Sequence, residues 1–97
     1  MRLANLTIPS TETISNVIDV TGIEDLTIYG PSVLTGVVSV EVSPDKGVTW
    51  IDTTLDVIID AGTRVQPVHG DRLRLVSSGA EGAIRIFPVH GSTLVTV

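Results

Sequence analysis

Residues 37–50 read VVSVEVSPDKGVTW, and this stretch indicates the fold most clearly. The valines at positions 38, 40 and 42 share one side of an extended chain, while Ser39 and Glu41 share the other, because successive side chains of a strand point in opposite directions. The Pro-Asp-Lys-Gly sequence that follows is typical of a tight turn. The segment therefore predicts a strand with one buried side, a turn and the start of the next strand.

The same two-residue alternation recurs along the whole chain, between clusters of Gly, Pro, Ser, Asn and Asp. No long segment places its apolar side chains at helical spacing. We therefore expect an all-β, single-domain antiparallel β-sandwich over residues 1–97, with about 8–9 short strands and a jelly roll or a small barrel as finer alternatives. The strands are predicted at residues 3–8, 14–20, 25–29, 37–42, 49–53, 56–59, 72–77, 83–89 and 93–97.

The apolar content predicts association with other protein surfaces. The chain has 97 residues, enough for one core, and 42% of them are apolar. With a mean hydropathy of +0.41, some apolar side chains must face outward, where they usually mark docking sites. The alternation places Val17, Val37, Ile58 and Phe87 on outward faces. We expect these residues to form subunit contacts in a homo-oligomer, with a trimer favoured.

Three arginines alternate with aliphatic residues in two of the predicted strands. Arg72 and Arg74 are predicted to share an outward face while the neighbouring leucines enter the core, and Arg85 is predicted to repeat this arrangement. Two interpretations carry equal weight. The arginines either pair with carboxylates on a solvated face, or they anchor a protein interface, where guanidinium groups are enriched.

Charge and residue types argue against several classes of function. Eleven acidic and six basic residues give a net charge of −5, and the single lysine leaves no basic run for nucleic acid. Without cysteine, disulfides and thiolate metal sites are excluded. The N-terminal residues do not have the apolar stretch of a signal peptide, and the aliphatic runs are too short to cross a bilayer.

Two histidines raise the question of a metal site. His69 and His90, with Asp71 close in sequence, supply ligand types that suit zinc or iron if their strand ends meet. Each histidine precedes a glycine, however, so an exposed turn residue is the favoured interpretation. Serine, histidine and aspartate are all present, but no activating motif surrounds them. We therefore predict no catalytic residue, no metal and no cofactor.

The turn after residue 42 carries a recognisable motif. Ser43, Asp45, Gly47, Thr49 and Trp50 match the pattern S-x-D-x-G-x-T-W and resemble the Asp-box of sialidases and other β-proteins. In those families the motif is a folding element of a hairpin, so the resemblance implies a structural role. Asp45 is expected to accept backbone N–H bonds, Gly47 to take a positive φ, and Trp50 to cap the core. One copy in a short chain excludes a propeller.

A wider resemblance covers most of the chain. The order of IPS (8–10), IDVTG (18–22), the stretch 38–50, DAGTR (60–64) and GDRLRLVSS (70–78) resembles small β-sandwich virion proteins of tailed phages, some of which decorate or cement capsids. The resemblance implies a non-enzymatic protein of the virion, assembled in the host cytoplasm, that binds the major capsid protein or another virion protein. Alternatives are a neck, tail or fibre attachment component, or a carbohydrate-binding module.

Overall fold

The computed structural model describes residues 2–23, 25–32, 34, 36–67 and 70–92. Within these ranges the chain forms eight strands and no helix. The strands are β1 (Arg2–Ile8), β2 (Ile18–Asp19), β3 (Asp25–Tyr29), β4 (Val38–Ser43), β5 (Ile51–Asp56), β6 (Gly62–Val65), β7 (Arg72–Ser77) and β8 (Arg85–Ser92). They pair antiparallel in two four-stranded sheets, which confirms the predicted β-sandwich.

The strand order is that of a jelly roll. β1 pairs with β8 and β3 with β6 in one sheet, ordered β1-β8-β3-β6, which we call the β8 sheet. β2 pairs with β7 and β4 with β5 in the other, ordered β2-β7-β4-β5, which we call the β7 sheet. The first strand thus pairs with the last, the second with the seventh, and so on inward, and successive pairs lie in alternate sheets. This arrangement arises when one long antiparallel hairpin is rolled into two layers.

The core lies between the two inner faces and is aliphatic apart from one phenylalanine. Each inner face is made by alternate residues of its strands, because period-two side chains on one side of a strand are buried together. The buried apolar residues are Leu6, Ile8, Leu26, Ile28, Val65, Phe87 and Val89 from the β8 sheet, Ile18, Val38, Val40, Leu73 and Leu75 from the β7 sheet, and Val20 and Val57 from loops.

The segment predicted as a strand at 14–20 is broken, because part of it crosses to the other sheet. Ser15 stays beside β7, where its N–H donates to the carbonyl of Leu75 at 3.0 Å and its Oγ accepts the Leu75 N–H at 2.8 Å. Asn16 instead reaches β1, where its Oδ1 accepts the Thr7 N–H at 2.7 Å and its Nδ2 donates to the carbonyl of Asn5 at 3.3 Å. Asn16 therefore covers the exposed edge of β1 and ties the two sheets together.

Strand prediction was least accurate between residues 49 and 65. β5 begins two residues later than predicted and continues to Asp56, so the predicted strand at 56–59 is wrong. The apolar run that suggested it forms a turn in which Val57 enters the core and its N–H donates to the carbonyl of Val38 at 2.8 Å. The short strand β6 was not predicted. The predicted strand at 93–97 lies outside the described residues.

The outward orientation predicted for Phe87 and Arg85 is wrong. Phe87 is 0% exposed and Arg85 is 3% exposed, whereas Ile84 and Ile86 are 58% and 48% exposed. β8 therefore alternates as expected but buries the opposite set of side chains. Neither Phe87 nor Arg85 is accessible to a partner in this fold, so both leave the set of candidate interface residues.

Candidate interaction surfaces

The turn between β4 and β5 is held by two of its own side chains, Ser43 and Asp45. Asp45 Oδ1 accepts the Thr49 N–H at 2.8 Å and the Ser43 hydroxyl at 2.8 Å. Ser43 Oγ accepts the Gly47 N–H, also at 2.8 Å, and Gly47 has a φ of 93°. The predictions for Asp45 and Gly47 are thus confirmed. Since these bonds favour the carboxylate, the Thr49 N–H foremost and the Ser43 hydroxyl next, the pKa of Asp45 lies below its ordinary value.

Trp50 does not cap the core, contrary to expectation. Its ring lies on the outer face of the β7 sheet, where the guanidinium carbon of Arg74 is 4.2 Å from the ring centroid. Arg74 Nε is also 2.9 Å from Glu41 Oε1, which faces it across β4 and β7. The Asp45 turn thus returns the chain so that Trp50 covers an arginine, a cation–π contact.

The outer face of the β7 sheet carries the arginines where they were predicted. Arg72 Nη1 lies 3.2 Å from Asp19 Oδ1 and 4.0 Å from Asp71 Oδ1. The pKa of Asp19 is lowered chiefly by the N–H of Thr21 and then by its hydroxyl, with a smaller contribution from Arg72. Arg72 and Arg74 therefore pair with carboxylates of their own chain, which favours the solvated-face interpretation. Their role in an interface stays a prediction.

Arg85 is the centre of a buried polar cluster at one end of the sandwich. Its Nη1 donates to Ser77 Oγ at 2.8 Å and to the carbonyl of Gly79 at 3.3 Å, and its Nη2 donates to the carbonyl of Glu12 at 2.9 Å. Its Nε lies 2.9 Å from Glu81 Oε2, an ion pair without hydrogen-bond alignment. The cluster joins the loop after β7 to the segment after β1.

Val17, Val37 and Ile58 are exposed, as predicted. Val37 and Ile58 lie at the same end of the sandwich, where the residues next to them, Val38 and Val57, are hydrogen-bonded. Val17 precedes β2 at the edge of the β7 sheet. Their role in subunit contacts stays a prediction.

The exposed isoleucines at and just before the start of β8 were not predicted. Ile84 and Ile86 line a surface cleft together with Pro31, which follows β3. Farther along the same face the rings of Tyr29 and His90 meet edge to face, with centroids 5.4 Å apart. The signal was present in the alternation of residues 84–90, but the opposite phase was assigned to it.

The histidine and carboxylate considered as metal ligands lie on different sheets. His90 is on the outer face of the β8 sheet, beside Tyr29. Asp71 precedes β7, and its Oδ1 accepts the Lys46 N–H at 3.0 Å. His69 lies outside the described residues. In the described part of the chain, no three His, Asp or Glu side chains are grouped closely enough to hold a metal ion.

Comparisons with protein-family models, with curated proteins and with solved structures gave no match. No helix in the described ranges has the length and apolar character needed to cross a membrane.

Proposed function

We propose that this protein is a non-enzymatic structural component of a tailed-phage virion, and specifically a decoration or cement protein that binds the assembled head. The proposal is based on the resemblance of its sequence order to small virion β-sandwiches and on the chemistry of its surface. In this role the protein binds the major capsid protein or another virion protein. Its subunits associate with one another, and the sequence favours a trimer.

The observation that carries the proposal is the number of large apolar side chains at the surface. Eleven of them in the described residues are exposed, on a chain with a compact aliphatic core of its own. When another protein covers exposed apolar side chains, their surface is removed from water. This stabilises the complex by roughly 25 cal/mol for each Å² of apolar surface buried. A chain of this composition is therefore suited to contact with protein surfaces.

A cement role also has a simple energetic basis. A protein that binds the assembled lattice better than free coat protein shifts the assembly equilibrium toward the shell, and the shift grows with its free concentration. Many copies bound across neighbouring coat subunits act together, because each added contact is effectively intramolecular. The Arg85 cluster holds two loops of each copy in place, so little conformational entropy is lost on binding.

The test adds purified protein to capsids that lack it. We expect saturable binding, a higher capsid melting temperature and no comparable binding to unassembled coat protein. The double variant Val37→Lys/Ile58→Lys should bind less well than the control Ile51→Lys, in which an isoleucine of similar exposure on β5 is replaced. Absence of binding, or binding without a change in the capsid melting temperature, would contradict the cement role.

A second candidate function is recognition of a glycan by a neck, tail or fibre component. The exposed ring of Tyr29 beside His90 offers one aromatic surface on which a sugar ring can stack. At Trp50 the guanidinium group of Arg74 already lies over one face of the ring. A glycan-array signal that Tyr29→Ala abolishes, in a protein that does not bind capsids, would favour this function over cementing.

A further inference from the structure

Four strands form the edges of the two sheets, and three of them are short or covered. β2 has two residues and β6 has four. The edge of β1 is covered by Asn16, whose side chain bonds to the backbone of Asn5 and Thr7. β5 is six residues long and, among the described strands, pairs with β4 alone. An edge of this length has backbone donors and acceptors to which a strand of another chain can add.

The apolar side chains of β5 favour such an addition. Ile51 and Leu55 are 52% and 37% exposed. A long edge strand with exposed apolar side chains is a typical site of aggregation in β-proteins. In the described part of the chain, β5 is therefore the edge at which pairing with a second copy is most favoured by length and composition.

β5 contains two residues more than the strand it pairs with. Its pairs with β4 lie on either side of a register shift: Asp52 with Glu41, and Asp56 with Ser39. Between these pairs β5 has residues 53–55, where β4 has only Val40. Without Thr53 and Thr54, β5 would read Ile-Asp-Leu-Asp and continue in one register with β4. These two threonines therefore form a bulge, which we call the β5 bulge.

The side chains of β5 itself hold this bulge. Asp52 Oδ1 accepts the Thr54 N–H at 2.8 Å. Thr53 Oγ1 accepts the Leu55 N–H at 3.3 Å and donates to the carbonyl of Val40 at 2.9 Å. The Thr53 hydroxyl thus lies where a regular ladder has a direct bond from N–H to carbonyl. Two consecutive backbone donors of β5 are therefore already bound by side chains of the same strand.

The backbone at the β5 bulge also departs from an extended strand. Thr54 has a φ of 64°, in a left-handed region that a β-branched residue rarely adopts. A strand that adds to an edge needs an extended backbone with donors and acceptors at regular spacing. β5 therefore presents two short pieces, separated by the bulge, instead of one continuous edge of six residues.

We propose that the β5 bulge prevents strand addition at this edge, and that copies of the chain without it associate edge to edge through β5. The bulge acts in two ways. It occupies the N–H groups of Thr54 and Leu55, and it bends the strand so that a second strand cannot follow it. This inference does not depend on the proposed function.

The test compares two variants with wild type by sedimentation velocity over a range of concentrations. Deletion of Thr53 and Thr54 restores the regular alternation. Asp52→Ala/Thr53→Val instead removes the two acceptors and leaves the chain length unchanged. Both variants should form species larger than those of wild type, with self-association tighter by about tenfold or more. The infrared amide band of these species should show added intermolecular β-sheet.

The matched control is Asp56→Ala/Thr63→Val, which makes the same chemical changes and removes the same charge. Asp56 lies on β5 as well, and Thr63 lies on the edge strand β6. Asp56 Oδ1 accepts the Ser39 hydroxyl at 3.3 Å, and Thr63 Oγ1 donates to the Asp56 carbonyl at 3.4 Å. Neither of these bonds holds a backbone N–H, so the control should sediment like wild type.

Hydrogen exchange measures the proposed bonds in wild type without any variant. The N–H groups of Thr54 and Leu55 should exchange more slowly in wild type than in Asp52→Ala/Thr53→Val, at a concentration where neither protein forms larger species. Circular dichroism and thermal unfolding establish which variants fold. If the deletion variant does not fold, the double variant and hydrogen exchange decide.

Three results would overturn the proposal. In the first, the folded variants sediment like wild type at all concentrations. In the second, the control associates as tightly as they do, so that loss of charge and not loss of the β5 bulge is the cause. In the third, the N–H groups of Thr54 and Leu55 in wild type exchange at the rate of an unfolded chain. Capsid binding is measured separately, so its absence would contradict the proposed function and leave this inference standing.

Discussion

Strands β7 and β8 contain nearly the same pattern and bury opposite parts of it. In β7 the arginines at 72 and 74 face outward, and the leucines that follow each of them, at 73 and 75, are 0% exposed. In β8 the isoleucine at 86 faces outward, while Arg85 and Phe87 are buried. An alternating pattern thus defines two sets of side chains but does not say which set enters the core. The partners available on each side of the strand decide that.

The partners differ in kind. The outward arginines of β7 meet carboxylates and one indole ring near water, at Asp19, Glu41 and Trp50. Arg85 meets Ser77 and two backbone carbonyls in a buried position, with Glu81 as counter-ion. A buried guanidinium is costly unless its donors find acceptors, and the end of β7, the loop after it and the segment after β1 supply acceptors for both terminal nitrogens of Arg85.

The strongest test of this comparison replaces the aromatic residue of β8. Phe87→Ala should lower the free energy of unfolding by about 3–5 kcal/mol, because it leaves a cavity in the core. Ile86→Ala, on the outer face, should change it by no more than about 0.5 kcal/mol. Urea unfolding at a concentration where the protein is monomeric measures both values. A larger loss of unfolding free energy for Ile86→Ala than for Phe87→Ala would show that β8 buries Ile86 and exposes Phe87.

A second test compares one arginine from each strand. Arg85→Met should lower the free energy of unfolding by about 3 kcal/mol, because it removes the counter-ion of Glu81 and the donor to the Ser77 hydroxyl and to the carbonyls of Gly79 and Glu12. The control Arg74→Met removes a partly exposed ion pair and a cation–π contact and should cost about 1 kcal/mol. Equal losses in the two variants would mean that burial does not distinguish the two arginines.

The smallest expected effect concerns pH and the turn that places Trp50 over β7. The pKa of Asp45 is lowered in the folded protein, so its ionised form stabilises the fold above the ordinary value of 3.8. That contribution is lost as pH falls through the lower, folded value. Asp45→Asn should therefore unfold at a lower temperature than wild type at neutral pH.

The difference between Asp45→Asn and wild type should narrow as pH falls below 3.8 and close once the pH is below the lower, folded pKa, where the wild-type carboxyl is neutral in both states. Thermal unfolding of both proteins across this range provides the measurement. A difference that persists unchanged in acid would show that the charge on Asp45 has no part in holding the turn.

Local signals predicted the parts of the molecule that depend on neighbouring residues. The valine alternation of β4 and the Ser43, Asp45 and Gly47 turn were predicted because short-range hydrogen bonds and side-chain period determine them. The end of β5, the existence of β6 and the break at Asn16 were not predicted. Each of these depends on a partner far away in the chain, such as β1 for Asn16 and β3 for β6.

The candidate surfaces show the same division. That some apolar residues would face outward followed from composition alone, because a small domain cannot bury so many of them. The outward orientation predicted for individual residues was correct for Val17, Val37 and Ile58. It was wrong for Phe87. The isoleucines of β8 were missed for the same reason, since one wrong phase exchanges every inward and outward residue of a strand.

The sequence by itself determined that this chain folds as a β-sandwich with a dry aliphatic middle, because period-two burial and turn residues act over a few positions. Only the tertiary structure decided which side chains of β8 would enter the core and which would face outward. That depends on which strands become neighbours in the rolled hairpin, and hence on whether each arginine finds its acceptors inside the fold or at its surface.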